Sequence, residues 1–93
     1  MSSTTHSEPN SHDVDLLVQV FDASLLACHE RDLSELKRCL GLLKTFIDFD
    51  HSSPTMAWGV FQIYRHCECL AANNDFVGSA TILSYLQRLW VDA

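Results

Sequence analysis

The chain is short of cations. Six Lys and Arg face twelve Asp and Glu, leaving a formal charge of −6 over 93 residues. Nucleic acid is a poor partner for such a balance, because binding it needs clustered cations that displace counterions. Anionic membrane surfaces are disfavoured for the same reason. Long apolar runs are missing too: none approaches the ~20 residues of a membrane span, and the first residues lack the basic-then-apolar pattern of a secretory signal. The expected location is therefore cytoplasmic. Glycine is scarce, with three in all; Gly-containing hairpin signals and period-two alternation are absent, which argues against a sheet. Neither a Gly-rich phosphate loop nor a Ser-His-Asp spacing occurs. No catalytic residue, cofactor or enzyme activity is expected.

What the chain has is apolar residues at helical spacing. Its hydrophobic fraction is 47% and its charged fraction 19%, ample for the core of one small domain. Residues 1–12, rich in Ser, Thr and His, carry no apolar periodicity and read as a disordered tail. The remainder, 13–93, reads as a single helical domain.

Helix 1 is expected over about 13–30 and is apolar on too many sides. Val14, Leu17, Val18, Phe21, Leu25 and Cys28 form one stripe, and Leu16, Val20, Ala23 and Ala27 form a second beside it. Together they span roughly 220° of the circumference, confining Asp15, Gln19, Asp22 and Glu30 to a narrow polar strip. Such a helix is either central in a bundle or reserves a face for a partner. Helix 2 opens on Asp32, with Glu35 three residues on in a capping-box pattern. Leu33, Leu36, Leu40, Leu43 and Ile47 form its core stripe, Leu42 and Phe46 widen it, and Lys37 and Lys44 mark its wet side. Gly41 within it hints at close packing.

Residues 50–54 break the chain, with Ser53 placed to cap and Pro54 to occupy the first turn of helix 3. That helix runs to about Ala72 and is expected to bury Met56, Val60, Ile63, Cys67 and Leu70, with Trp58 off the stripe. Asn73-Asn74-Asp75 ends it, and Asp75 can cap helix 4. There Ile82, Leu83, Leu86, Leu89 and Trp90 point inward and Ser84, Gln87 and Arg88 outward. Four helices with short loops predict an all-α, antiparallel, up-down four-helix bundle.

Chemistry-bearing clusters are few. His66-Cys67-Glu68-Cys69 looks like a metal site, but on a helix Cys67 and Cys69 point about 200° apart and cannot close on one ion. No metal is expected. Cys28, Cys39 and Cys67 lie on apolar stripes, where a thiol acts as a small hydrophobe, and cytosolic thiols stay reduced. His29, Glu30 and Asp32 sit at a helix corner with no nucleophile. Asp22 belongs to the polar strip of helix 1, or holds a neighbouring loop by a hydrogen bond.

Several segments, taken in order, resemble the flagellar secretion chaperones of the FliS family. They are Leu16-Leu17-Val18-Gln19-Val20-Phe21-Asp22-Ala23, Ile47-Asp48-Phe49-Asp50, Val60-Phe61-Gln62-Ile63-Tyr64, Ala72-Asn73-Asn74-Asp75 and Leu86-Gln87-Arg88-Leu89-Trp90. The similarity covers about residues 14–92. Ala23 stands where the family has glycine, the interval from Asp22 to Asp32 is about two helical turns short, and the family's tyrosine-containing N-terminal segment has no counterpart in residues 1–12. The resemblance therefore points to a divergent or shortened member. It implies a cytosolic chaperone that binds the C-terminal segment of flagellin in apolar grooves and keeps it from polymerising. On that reading Leu16, Val20, Ala23 and Ala27 of helix 1, Leu42 and Phe46 of helix 2, and Trp58 of helix 3 are the expected client-binding residues. The alternative is a small structural or regulatory protein that homodimerises through the surplus apolar face of helix 1.

Overall fold

A computed structural model describes residues 11–47 and 53–92 of the chain. It holds four α-helices: α1 (Ser11–His29), α2 (Leu33–Thr45), α3 (Pro54–Ala72) and α4 (Phe76–Asp92). Helix α1 packs on α2 and α4, and α3 packs on α4 and α2, so the four close into a ring around one core. The α1–α2 and α3–α4 turns share one end of the bundle, where Arg31 meets Asn74. This is the expected antiparallel four-helix bundle. Helix α1 begins at Ser11, two residues before its expected start, and the tail expected over 1–12 otherwise lies outside the described residues.

Both turns at the shared end are built alike. The Arg31 N–H donates to the Cys28 carbonyl (3.1 Å) and the Asp32 N–H to Ala27 (2.8 Å); the Asn74 N–H donates to Ala71 (2.9 Å) and the Asp75 N–H to Leu70 (2.8 Å). Each pair is a Schellman closure, which needs a left-handed residue at its centre. Arg31 (φ 57°) and Asn74 (φ 70°) supply it. Asn tolerates that conformation; for Arg it costs roughly 1 kcal/mol relative to Gly. The next residue then caps the following helix. Asp32 Oδ1 accepts from the Glu35 N–H (3.1 Å) and Asp75 Oδ1 from the Gly78 N–H (2.8 Å). Only half of the expected capping box forms, because the Glu35 carboxylate is taken by Arg38 at 2.6 and 2.9 Å. At the other end of the bundle, Ser53 Oγ accepts from the Met56 N–H, with Pro54 in the first turn of α3.

Helix α1 buries part of each of its stripes because it has two neighbours. Leu17, Phe21 and Cys28 of the first stripe are buried, and so are Val20 and Ala27 of the second. The ring of Phe21 meets Tyr64 of α3 at 6.5 Å, tilted by 53°. Asp22 stays exposed and, rather than holding a loop, accepts from Gln87 Nε2 of α4 at 2.7 Å.

Helix α3 is turned by about one residue from its expected seating. Ala57, Tyr64, Cys67 and Ala71 are buried, whereas Met56 is 67% and Ile63 37% exposed. The spacing 57, 64, 71 replaces 56, 63, 70. In this seating Ala57 and Ala71 are buried and Tyr64 meets the ring of Phe21. On α4 the core is Phe76, Ser79 and Leu83, while Leu89, expected inward, is 53% exposed. The inward placement expected of Trp90 lies outside the described side chains.

Candidate functional site

The seating of α3 leaves its apolar stripe partly outside the core, and α4 does the same beside it. Ile63 of α3 and Ile82, Tyr85, Leu86 and Leu89 of α4 line a groove of about 420 Å³ between the two helices, with Gln62 and His66 as its polar members. Tyr85 is 63% exposed. A nearly all-apolar groove on a small bundle is suited to an apolar side-chain row of another chain.

The residues expected to bind a client are scattered by comparison. Leu16, Leu42 and Trp58 are exposed, and Ala23 and Phe46 are half-buried against the core. Val20 and Ala27 are core residues, and the expectation that they face a partner is corrected: packing between α2 and α4 uses both stripes of α1, leaving Leu16 and Leu26 as its large exposed hydrophobics. Trp58 packs edge-on against Phe61, their centroids 5.4 Å apart. Phe61 in turn lies under Lys44 Nζ at 5.3 Å, and Lys44 reaches Glu68 at 3.7 Å. Lys44, expected on the wet side of α2, thus lies in the α2–α3 seam.

Gly41 is in the open: a Cβ there would meet nothing within 4 Å, so the hint of close packing is not met. Cys69 is exposed and Cys67 fully buried. Among the described residues no three His, Cys, Asp or Glu are placed to hold a metal ion, and no helix is long and apolar enough to cross a membrane.

The buried thiols shape the core's electrostatics. Burial pushes the Cys28 and Cys39 thiols up, and Cys67 to about 11. Ser79, itself fully buried, pulls Cys28 and Cys67 back slightly; its Oγ makes no hydrogen bond of regular geometry, so the contact is a weak one. None of these thiols has the exposed, electropositive surroundings of a nucleophile.

No family model, curated protein or solved structure matches this chain.

Ile82 and Leu86 are half-buried against the core, in line with their expected inward placement, whereas Ile63 and Leu89 were legible as apolar but not as surface. Ile63, Ile82, Leu86 and Leu89 sit on the stripes expected to be core, and the competing 57/64/71 register, marked by two alanines and a tyrosine, was the available signal.

Proposed function

We propose that this protein is a non-enzymatic binding bundle that holds an amphipathic segment of a client protein in the α3–α4 groove. The resemblance to flagellar secretion chaperones supplies the client: the C-terminal segment of flagellin, kept from premature polymerisation in the cytoplasm. The observation that carries the reading is the apolar row along one side of the bundle, with Ile63 and Leu89 exposed and Ile82 and Leu86 half-buried against the core. The proposed client surface thus differs from the expected one, which lay on α1 and α2 with Trp58 of α3, and runs instead along the α3–α4 groove. A few medium apolar side chains seated there yield several kcal/mol before ordering costs, at about 25 cal/mol per Å².

Calorimetric titration of the full chain with a flagellin C-terminal peptide tests this. A one-to-one complex is expected, weakened at least tenfold by Leu89→Glu or Tyr85→Glu, both at exposed positions, and unchanged by Leu16→Glu. Absence of binding by the unmodified chain rejects flagellin as client. A stable dimer that ignores the peptide, and that Leu89→Glu splits, replaces the chaperone reading with self-association through the same groove.

A further inference from the structure

A second concavity lies between α1 and α4, at the end of the bundle where the two Schellman turns meet, and its chemistry differs from that of the groove. It measures about 540 Å³. Leu25, Phe76 and Ala80 are among its apolar walls, and His29 and Arg31 are its basic members; no Asp or Glu lines it.

Arg31 is held in place there. Its Nη2 donates to the Asn74 carbonyl (3.2 Å) and to Asn74 Oδ1 (2.9 Å), and its guanidinium carbon stands 5.0 Å from the centre of the Phe76 ring. Neither of the ion pairs among the described residues, Arg38–Glu35 and Lys44–Glu68, involves Arg31. The neighbouring carboxylates of Asp32 and Asp75 accept from backbone N–H groups at their caps. An arginine also stands at the turn position where glycine is the unstrained choice, and left-handed backbone at a non-glycine residue persists where the surroundings enforce it, often at a binding site.

From these features we infer that the α1–α4 cleft binds a small monocarboxylate on a straight apolar tail, of the octanoate type. The carboxylate takes the remaining guanidinium N–H groups of Arg31 with His29 beside it, and the tail lies along Leu25, Phe76 and Ala80. Charge-assisted pairing of a planar guanidinium with a carboxylate supplies the orientation, and the apolar wall supplies the bulk of the burial. This site is independent of the client groove, and neither stands or falls with the other.

The test is a titration of the full chain, followed by amide chemical shifts, with octanoate, with octan-1-ol (tail alone) and with acetate (carboxylate alone). Octanoate is expected to saturate and to shift Arg31, Phe76 and Thr81 rather than Ile63 and Leu89, with the other two compounds at least tenfold weaker. Arg31→Gly suits the left-handed backbone, keeps the fold and weakens octanoate by about tenfold or more. Ala80→Phe fills the cleft with Arg31 and Asn74 intact and abolishes binding; should it fail to fold, Ala80→Val is read in its place and weakens binding. No saturable shift at millimolar octanoate overturns the inference. So does octanol binding as tightly as octanoate, shifts confined to the α3–α4 groove, or unchanged affinity in Arg31→Gly or in the folded Ala80 variant.

Discussion

Arg31 Nη2 lies 2.9 Å from Asn74 Oδ1, and these two residues are the ones that close the two helical hairpins. They are also the non-glycine residues with positive φ among the described residues, at 57° and 70°. The α1–α2 hairpin and the α3–α4 hairpin are thus joined at their turns as well as along their helices. Register along the bundle is fixed at that end by a side-chain contact between residues 43 apart in sequence.

Substitutions at Asn74 separate its two roles. Asn74→Ala removes the Oδ1 acceptor and puts a Cβ-bearing residue without polar compensation into left-handed backbone, for an expected loss of about 1–2 kcal/mol. Asn74→Gly loses the same acceptor but keeps the backbone at ease, so its loss is smaller by roughly 0.5–1 kcal/mol. Urea unfolding of the two variants gives the order. Glycine more damaging than alanine would contradict the conformational account.

The three glycines differ in what a methyl group would do. A Cβ on Gly41 or Gly59 meets nothing within 4 Å, and both lie within helices. Gly41→Ala and Gly59→Ala should each stabilise by about 0.5–1 kcal/mol, raising Tm by several degrees in a domain of this size. At Gly78 a Cβ would stand 2.5 Å from Asp75 Oδ2. Gly78→Ala therefore displaces the carboxylate that caps α4, and losing the cap costs about 1 kcal/mol against the alanine's helical gain. Thermal melts of the three variants should show two increases and no increase for the third.

Much of the fold was legible in the sequence because its punctuation is local. Asp32, Ser53-Pro54 and Asp75 mark three helix starts through side-chain chemistry that acts within three residues. The seating of the helices was less legible. On α3 the larger hydrophobics Met56 and Ile63 outrank Ala57 and Ala71 by burial energy per residue, yet the core takes the alanines together with Tyr64. On α1 two apolar stripes are compatible with a partner or with two neighbours in a ring. A sequence pattern gives the width of an apolar arc, and only the placement of the other three helices decides how much of it is covered.

Val20 and Leu16, from the same stripe of α1, therefore part company. Val20 is 9% exposed and Leu16 43%. Val20→Glu buries a carboxylate with no partner and should cost several kcal/mol, enough to unfold so small a domain. Leu16→Glu should stay within about 0.5 kcal/mol of the unmodified protein. Circular dichroism at 222 nm, where α-helices give a strong negative band, reads both. A folded Val20→Glu variant would mean that α1 exposes its second stripe after all.

The buried thiols make stability fall on the alkaline side. Burial raises Cys67 from its ordinary 9.0 to about 11, and it raises Tyr64 from 10.0 to about 12. Each group is protonated in the folded chain over a range where the unfolded chain has already lost the proton. The folded state then binds more protons, so stability falls as pH rises: it is complete below pH 9, declines between 9 and 11 for Cys67 and between 10 and 12 for Tyr64, and levels off above. The slope is at most about 1.4 kcal/mol per pH unit for each group. Cys67→Ala should flatten the first part of that decline, at the cost of a small cavity. The same burial predicts that a chromogenic thiol reagent at neutral pH titrates Cys69 at once, and Cys28, Cys39 and Cys67 only in denaturant. Rapid reaction of all four thiols in the native protein would show that the core opens far more readily than its packing implies.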